Sequence, residues 1–249
     1  MSGHSKWHSI KHKKGAADAK RGKLFAVLIR QIEIAARSGG GDPTSNATLR
    51  SMIQKARDNS LPVDTIQRAI KRGTGEEEGV IYEQVSYEGY AASGVAVIVQ
   101  ALTDNRNRTS AEIKNIFSRN GGSFAEPGAV SWQFERKGVV LVDKSADEDE
   151  LTLAAADAGA EDVQDLGDSW QVTTPPTELH AARTAIEESG FKVKSSDLTM
   201  IPTTSVALDA EDKAKSVLRL MDALEDHDDV EAVYANFDIP DAVLEAVSA

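Results

Sequence analysis

The sequence predicts an α+β fold with an N-terminal three-helix domain and two α+β domains, one inserted in the other. Three observations support this prediction. Apolar residues recur at spacings of three and four up to about residue 75, which is typical of helices. Short segments with apolar alternation, typical of strands, follow. Finally, residues 139–201 contain a complete β-α-β-β-α-β order, and a further strand–helix–strand comes after them.

The helical domain is predicted over residues 24–75. A run of three glycines ends its first helix, and Thr44 or Ser45 is expected to cap the second. Pro62 suits the first turn of a third helix, which we expect to close at Gly73. The apolar positions that predict the buried faces of these helices are Leu24, Leu28, Ile32, Leu49, Ile53, Ile66 and Ile70.

The next α+β domain is predicted to be discontinuous, formed by residues 80–135 and 202–240. Residues 95–99 are apolar on both sides, as in a strand that is buried on both faces. Thr109 and Glu112 have the spacing of a capping box at the start of a helix. Further strands are predicted from Val80 to Tyr90 and through the alternating residues Val130, Trp132 and Phe134.

Residues 139–201 are predicted to fold as the inserted domain. Gly167 and Asp168 form a two-residue hairpin signal between two strands, and a helical pattern lies on each side of that hairpin. Because neighbouring elements tend to pair through short connections, both α+β domains are expected to be ferredoxin-like in style.

Charge is distributed very unevenly along the 249 residues. The whole chain has a net charge of −12, but residues 1–75 have a net charge of +10 and residues 76–249 a net charge of −22. This asymmetry predicts a polyanionic partner that binds at one end of the molecule. The chain has no cysteine, which excludes a disulfide scaffold and a cysteine nucleophile. No long apolar run or secretory signal is visible, so we expect a cytoplasmic protein.

Residues 1–23 are predicted to be a basic, flexible arm that binds nucleic acid. Lysine and arginine side chains neutralise phosphates, and Trp7 offers a stacking face for an unpaired base. An arm that only aids solubility is the alternative, and a metal site formed by His4, His8 and His12 is a weaker one. The nucleic-acid-binding residues predicted in the arm are Lys6, Trp7, His8, Lys11, Lys13, Lys14, Lys20, Arg21 and Lys23.

A second candidate contact lies at the segment from Asp104 to Thr109, between a predicted buried strand and a helix start. Free N–H groups and the helix dipole favour an anion at such a place, so Arg106 and Arg108 are also predicted to bind nucleic acid. Solvated arginines beside a capped helix are the equal alternative.

The sequence carries no motif for catalysis. A phosphate-binding loop, a dinucleotide fingerprint, a zinc protease motif and a nucleophile elbow are all missing, and few histidines are available as general bases. We therefore predict no enzyme activity, no cofactor and no resident metal. Asp226, Asp228 and Asp229 suit a weak cation site, but a solvated turn is the commoner outcome.

Three segments resemble a known family. The opening SGHSKWHSIKHKKGAADAKRGKLF, Ser2 to Phe25, is closely similar to the YebC/PmpR family, which includes the mitochondrial translational activator of cytochrome oxidase. Tyr87 to Thr109 and Asn120 to Gly122 match the same family, and the resemblance covers the whole chain. It implies one helical and two α+β domains around a cleft, and a role in gene expression without catalysis.

Two functions follow from the charge pattern and the resemblance together. The first is a DNA-binding transcriptional regulator, for which the third helix, with Gln67, Arg68, Lys71 and Arg72, is a candidate for reading the major groove. The alternative is a ribosome-associated translation factor that binds RNA and relieves stalling at proline-rich sequences. If the arm does not supply the contact, the helical domain offers Arg50, Lys55, Arg57, Arg68, Lys71 and Arg72 instead. The sequence leaves the oligomeric state open.

Overall fold

A computed structural model of the chain describes residues 17–248 and begins with a three-helix domain. The first helix starts within the segment that the sequence analysis assigned to the flexible arm, so the arm boundary at residue 23 is wrong. The alanine- and lysine-rich sequence before Leu24 favours helix, which explains the earlier start. Residues 1–16 lie outside the described part. The three helices are α1 (Ala17–Gly39), α2 (Ala47–Asp58) and α3 (Val63–Thr74).

Two details of the helical domain differ from the prediction. The cap of α2 is Asn46, whose side chain accepts the Leu49 N–H at 3.0 Å and donates to the Ala35 carbonyl at 2.8 Å. Gly73 does not close α3 but lies inside it, and a Cβ atom there would stand 2.5 Å from the Glu33 carbonyl oxygen. The glycine therefore permits close packing of α3 on α1.

Strands and helices alternate through the remainder of the chain. The fold class predicted from the sequence is confirmed. The elements are β1 (Glu83–Tyr90), β2 (Ala96–Thr103), α4 (Arg106–Arg119), β3 (Ser123–Ala125), β4 (Phe134–Asp143), α5 (Glu148–Asp157), β5 (Asp162–Asp165), β6 (Ser169–Thr174), α6 (Leu179–Glu188), β7 (Val193–Pro202), β8 (Val206–Ala207), α7 (Glu211–Glu225), β9 (Val230–Ala235), β10 (Phe237–Asp238) and α8 (Asp241–Ser248).

The middle sheet has the order β3-β1-β2-β9, and its strand pairs are antiparallel. Strand β2 is buried along nearly its whole length, as its continuous apolar run predicts. Ile113 and Phe117 of α4 and Met221 of α7 join the core that also contains the valines of β1, β2 and β9. The sheet thus brings the chain before residue 134 together with the chain after residue 202.

The segment predicted as a strand around Trp132 is a short 3-10 turn over Ser131–Gln133, and β4 begins only at Phe134. The reason is the buried carboxylate of Glu88 on β1. It accepts the backbone N–H groups of Gly128, Val130 and Ser131 at 2.8, 2.6 and 3.0 Å. Those groups are then unavailable to a strand ladder, and the Trp132 side chain is left 72% exposed.

The described residues form two compact units. One contains the residues up to Phe134 and from Pro202 onward, and the other is Glu135–Ile201. The sheet of the second unit has the order β5-β6-β4-β7, which is the ferredoxin-like arrangement. Its core is built from Val140, Val142, Leu151, Ala155, Trp170, Val172 and Ile186. Independent folding of this unit remains a prediction. Among the described residues, no helix is long and apolar enough to cross a membrane.

Candidate nucleic-acid interface

Most of the predicted arm lies outside the described residues. This applies to Lys6, Trp7, His8, Lys11, Lys13 and Lys14. Lys20 falls on α1, but its side chain is also outside the described part. The contribution of these residues to nucleic-acid binding therefore remains a prediction.

Arg21 and Lys23 both lie on α1 but have different surroundings. Arg21 is exposed, with its guanidinium 5.3 Å from the centre of the Phe25 ring. The Lys23 ammonium donates to the carbonyl oxygens of Glu225 and His227 and so ties α1 to the loop after α7. Burial lowers the pKa of Lys23, while Asp226, Asp228 and Glu225 oppose that shift. In this conformation Arg21 is open to a phosphate, whereas Lys23 is occupied.

The start of α4 is not the predicted capping box. Asn105 is the N-cap, and its side chain accepts the Arg108 N–H at 3.1 Å. Thr109 is fully buried, and its hydroxyl contacts the hydroxyl of Thr103 and the carboxylate of Asp229, both at 2.7 Å. Arg106, by contrast, is exposed on the first turn of the helix.

Arg108 is held by acidic side chains. Its guanidinium lies 2.7 Å from Asp229 Oδ2 and 3.0 Å from Asp104 Oδ1. Burial opposes ionisation of Asp229, but the hydrogen bonds from Thr109 and Arg108 outweigh it, so the pKa of this carboxyl is lowered. Asp229 is therefore buried and paired, whereas a solvated turn is the commoner outcome for such an acidic loop.

The same carboxylate connects the helical domain to the middle sheet domain. Arg30 of α1 lies 3.7 Å from Asp229 Oδ1 and donates to the Asp228 carbonyl at 3.0 Å. With Lys23 and Arg108, these contacts form what we call the α1–α4 charge cluster. They fix α1 against the loop between α7 and β9. Long-range pairing through one buried carboxylate is the main feature that the sequence analysis missed.

Three side chains of this region have donor atoms close enough to hold a metal ion, namely Glu112, His227 and Asp229, all within 4.8 Å of one another. The donors are already engaged. His227 Nε2 is 2.8 Å from Glu112 Oε2, and His227 Nδ1 accepts the Asp229 N–H at 3.1 Å. Because Asp229 is also paired with Arg108, a cation would have to displace an arginine. The arrangement fits a structural hydrogen-bond network better than a metal centre.

The cations of the helical domain separate into paired and exposed groups. Arg72 forms a 2.6 Å ion pair with the buried carboxylate of Glu33, and Lys55 is only partly exposed and also has an interaction partner. Within residues 17–248, the exposed cations of α2 and α3 that form no ion pair are Arg50, Arg57, Arg68 and Lys71. These four side chains are the described positive surface of the domain, and we call them the α2–α3 cations.

A groove with a volume of about 400 Å³ lies between α2 and α3. The sequence predicts its three isoleucines only as core residues, because the gap itself depends on how the two helices pack. Arg50 and Arg57 line it together with two glutamine side chains, and the apolar part is formed by three isoleucines and a valine. The lining residues are Gly41, Pro43, Thr44, Arg50, Ile53, Gln54, Arg57, Val63, Ile66, Gln67 and Ile70.

Comparison with known proteins identifies the family. Residues 5–76 match the family model described as the TACO1/YebC protein N-terminal domain, and residues 82–237 match that of the TACO1/YebC second and third domain. Together these matches span most of the chain. The chain therefore belongs to the TACO1/YebC family, as the resemblance predicts.

Relatives and a solved structure agree with this assignment. A protein from Halothermothrix orenii is 53% identical over 100% of this chain and 99% of its own, and one from Thermobifida fusca is 54% identical over 100% of both. Each is named a probable transcriptional regulatory protein. The crystal structure of a conserved hypothetical protein from Aquifex aeolicus superposes with a TM-score of 0.85 at 45% identity, covering 93% of this chain and 96% of that one.

Proposed function

We propose that this protein is a non-enzymatic regulator of gene expression that binds nucleic acid through its N-terminal helical domain. The observation that carries the proposal is the set of α2–α3 cations, which form no ion pair among residues 17–248 in a chain with a net charge of −12. Basic side chains without acidic partners attract phosphates, whereas the acidic remainder repels them. Binding is thereby confined to the helical domain. The protein acts in the cytoplasm.

DNA is the first candidate partner. Relatives covering the whole chain are named probable transcriptional regulatory proteins, which supports control of transcription. Helix α3 exposes Gln67, Arg68 and Lys71, which are residue types that read base edges or bind phosphates in the major groove. Arg72, which the sequence analysis included in that helix surface, is instead paired with Glu33. The lysines of residues 1–16 extend the positive charge available for binding.

Ribosomal RNA is the second candidate, with the protein acting as a translation factor. The observation that favours it is the groove between α2 and α3, because a base of a duplex must be unpaired and unstacked before it can enter a pocket. Unpaired RNA bases can be inserted in this way.

The test measures binding of labelled duplex DNA and single-stranded RNA over a range of salt concentrations. Replacing the four α2–α3 cations by glutamine should reduce the slope of log affinity against log salt by about 3.6 on duplex DNA, or about 2.8 on a single strand, if each contacts a phosphate. The matched control is Lys213→Gln with Arg219→Gln, two exposed cations of α7 that form no ion pair within the described residues. The control should leave the slope unchanged.

An unchanged slope in the four-site variant would contradict the proposed contact surface. Sedimentation of the full-length protein with ribosomes, with and without ribonuclease, then separates the two partners. Ribonuclease-sensitive sedimentation with ribosomes would support translation, and binding to duplex DNA alone would support transcription.

A further inference from the structure

The groove between α2 and α3 is built from one helical stripe on each side. Arg50, Ile53, Gln54 and Arg57 follow one another at spacings of three and four on α2. Val63, Ile66, Gln67 and Ile70 repeat that spacing on α3. Both stripes therefore face the same gap, whose length between the two arginines is about 10 Å, or two helical turns. The two stripes are a regular feature of the helix pair, and Gly41, Pro43 and Thr44 of the loop before α2 complete the lining.

The floor and the rim of the groove differ in chemistry. Ile53, Ile66 and Ile70 form an apolar floor and are each less than 10% exposed, whereas Val63 at the edge is 60% exposed. Val63 thereby extends the apolar surface of the recess from its floor to its edge. The Gln54 amide already donates to the Asp58 carboxylate at 2.9 Å, so Gln67 supplies the amide that can donate and accept hydrogen bonds to a ligand. Gln67 is exposed.

The two arginines give the groove its charge. Arg50 and Arg57 are exposed, and neither forms an ion pair in the part of the chain that the structure describes. A ligand that suits this site is flat and largely apolar on its faces, has hydrogen-bonding edges, and carries negative charge on each side. An unpaired nucleotide within a strand has all three properties, because its base lies between two phosphates.

We propose that the α2–α3 groove binds an unpaired nucleotide of single-stranded RNA. The base packs on the isoleucine floor, the amide of Gln67 contacts its edge, and Arg50 and Arg57 hold the flanking phosphates. A peptide is disfavoured because the acidic peptide that the two arginines would attract offers no flat apolar face to the isoleucine floor. The inference rests on the proposed function only in requiring that the helical domain contact nucleic acid.

The test uses variants that change the groove without changing its charge. Val63→Ala combined with Gln67→Ala removes the exposed apolar contact and one amide, and both residues are at the surface, so stability should change by no more than about 0.5 kcal/mol. The matched control is Val80→Ala with Gln84→Ala, an exposed pair of the same residue types outside the groove. Fluorescence anisotropy of the full-length protein then gives the affinity for a single-stranded RNA and for a duplex of the same sequence.

We expect the groove variant to lose about tenfold in affinity for single-stranded RNA and to bind duplex as the unmodified protein does, with the same salt slope. Photo-crosslinking of an RNA that contains 4-thiouridine should label peptides within residues 41–70. Equal loss on both substrates, no loss on RNA, or crosslinks confined to other segments would each overturn the groove site. The four-cation variant is scored separately, so a salt effect without a groove effect removes this inference and leaves the proposed function standing. Preference for single-stranded DNA over RNA would also contradict the choice of RNA.

Discussion

At the scale of single residues, Glu231 on β9 stands out because burial raises its pKa above the ordinary 4.5, although Lys55 opposes that shift. One of its carboxylate oxygens accepts a hydrogen bond from the Gln31 amide. Glu231 Oε2 and Gln31 Oε1 are both buried and, within the described residues, lack a hydrogen-bond partner. A buried charge with an unsatisfied oxygen is destabilising.

Glu231→Gln should therefore stabilise the protein at pH 7, by about 1 kcal/mol, because it removes the buried charge and supplies an N–H for Gln31 Oε1. The raised pKa fixes the pH dependence. Below about pH 4.5 the carboxyl is neutral in both the folded and unfolded states, so the advantage of the variant should disappear there. Urea denaturation at pH 7 and at pH 4 measures both differences.

Glu88→Gln is the contrasting variant. Burial opposes ionisation of Glu88, but the hydrogen bonds from the Val130, Gly128 and Ser131 N–H groups outweigh it and lower the pKa. A glutamine side chain is neutral and its NH2 group cannot accept a hydrogen bond, so it cannot replace the carboxylate as the acceptor for all three N–H groups. The free energy of unfolding of this variant should therefore be lower by about 1–3 kcal/mol at pH 7, and the difference should become smaller as the pH falls below 4.5. A gain in stability for Glu88→Gln, or a loss for Glu231→Gln, would contradict the assignment of these two carboxylates.

At the scale of elements, the sequence predicts those helices and strands whose type is determined by the local pattern of apolar residues. The apolar spacing of α1, α2 and α3 and the continuous run in β2 are visible along the chain, so their types are predicted correctly. The turn at Ser131–Gln133 is not, because its cause is Glu88, some 40 residues earlier. The cap at Asn105 was missed for a similar reason, since Thr109 is committed to distant Asp229.

The candidate site, too, has features that the sequence predicts and features that depend on tertiary packing. The excess of basic residues at the N-terminal end is a property of composition and can be counted in the sequence. Which cations remain exposed depends on tertiary pairing, as Lys23, Arg72 and Arg108 show. The groove depends on helix packing, which no local pattern specifies.

The α1–α4 charge cluster gives a prediction at the same scale. Arg108→Ala should destabilise the protein at pH 7, because Asp229, with a side chain only 9% exposed, loses its closest cation. Asp229 has a lowered pKa, so its stabilising contribution is present above the ordinary 3.8 and is lost as the pH falls. Thermal denaturation at pH 7 should show this loss as a decrease in the melting temperature.

Arg106→Ala is the matched control, because Arg106 is exposed on the same helical turn and its side chain forms no ion pair among residues 17–248. Its melting temperature should stay close to that of the unmodified protein. If Arg106 contacts a phosphate, Arg106→Ala should weaken nucleic-acid binding while the stability of the protein stays unchanged. Equal melting temperatures for the two variants would show that Arg108 does not support the fold.

At the scale of the whole molecule, the α2–α3 cations and the segment of residues 135–201 belong to different compact units. The cations that form no ion pair on α2 and α3 belong to the first compact unit, whereas the second unit consists of residues 135–201 with its own core. That core is formed by residues of β4, α5, β6 and α6, which lie entirely within the segment. A segment with its own core and sheet has what it needs to fold alone.

The ends of this segment are held close together by the first unit itself. Thr203 donates its N–H to the Gln133 carbonyl at 2.8 Å, and its hydroxyl donates to the same oxygen at 3.0 Å. Replacing residues 135–201 with a Gly/Ser bridge of about four residues should therefore leave the β3-β1-β2-β9 sheet intact, since closing a short loop between adjacent ends costs little entropy.

We expect the remainder to unfold in one cooperative transition on chemical denaturation. It should also bind nucleic acid with an unchanged salt slope, because the α2–α3 cations are retained. A remainder that is already unfolded without denaturant would show that the two units depend on each other. A reduced salt slope in a folded remainder would place phosphate contacts on residues 135–201.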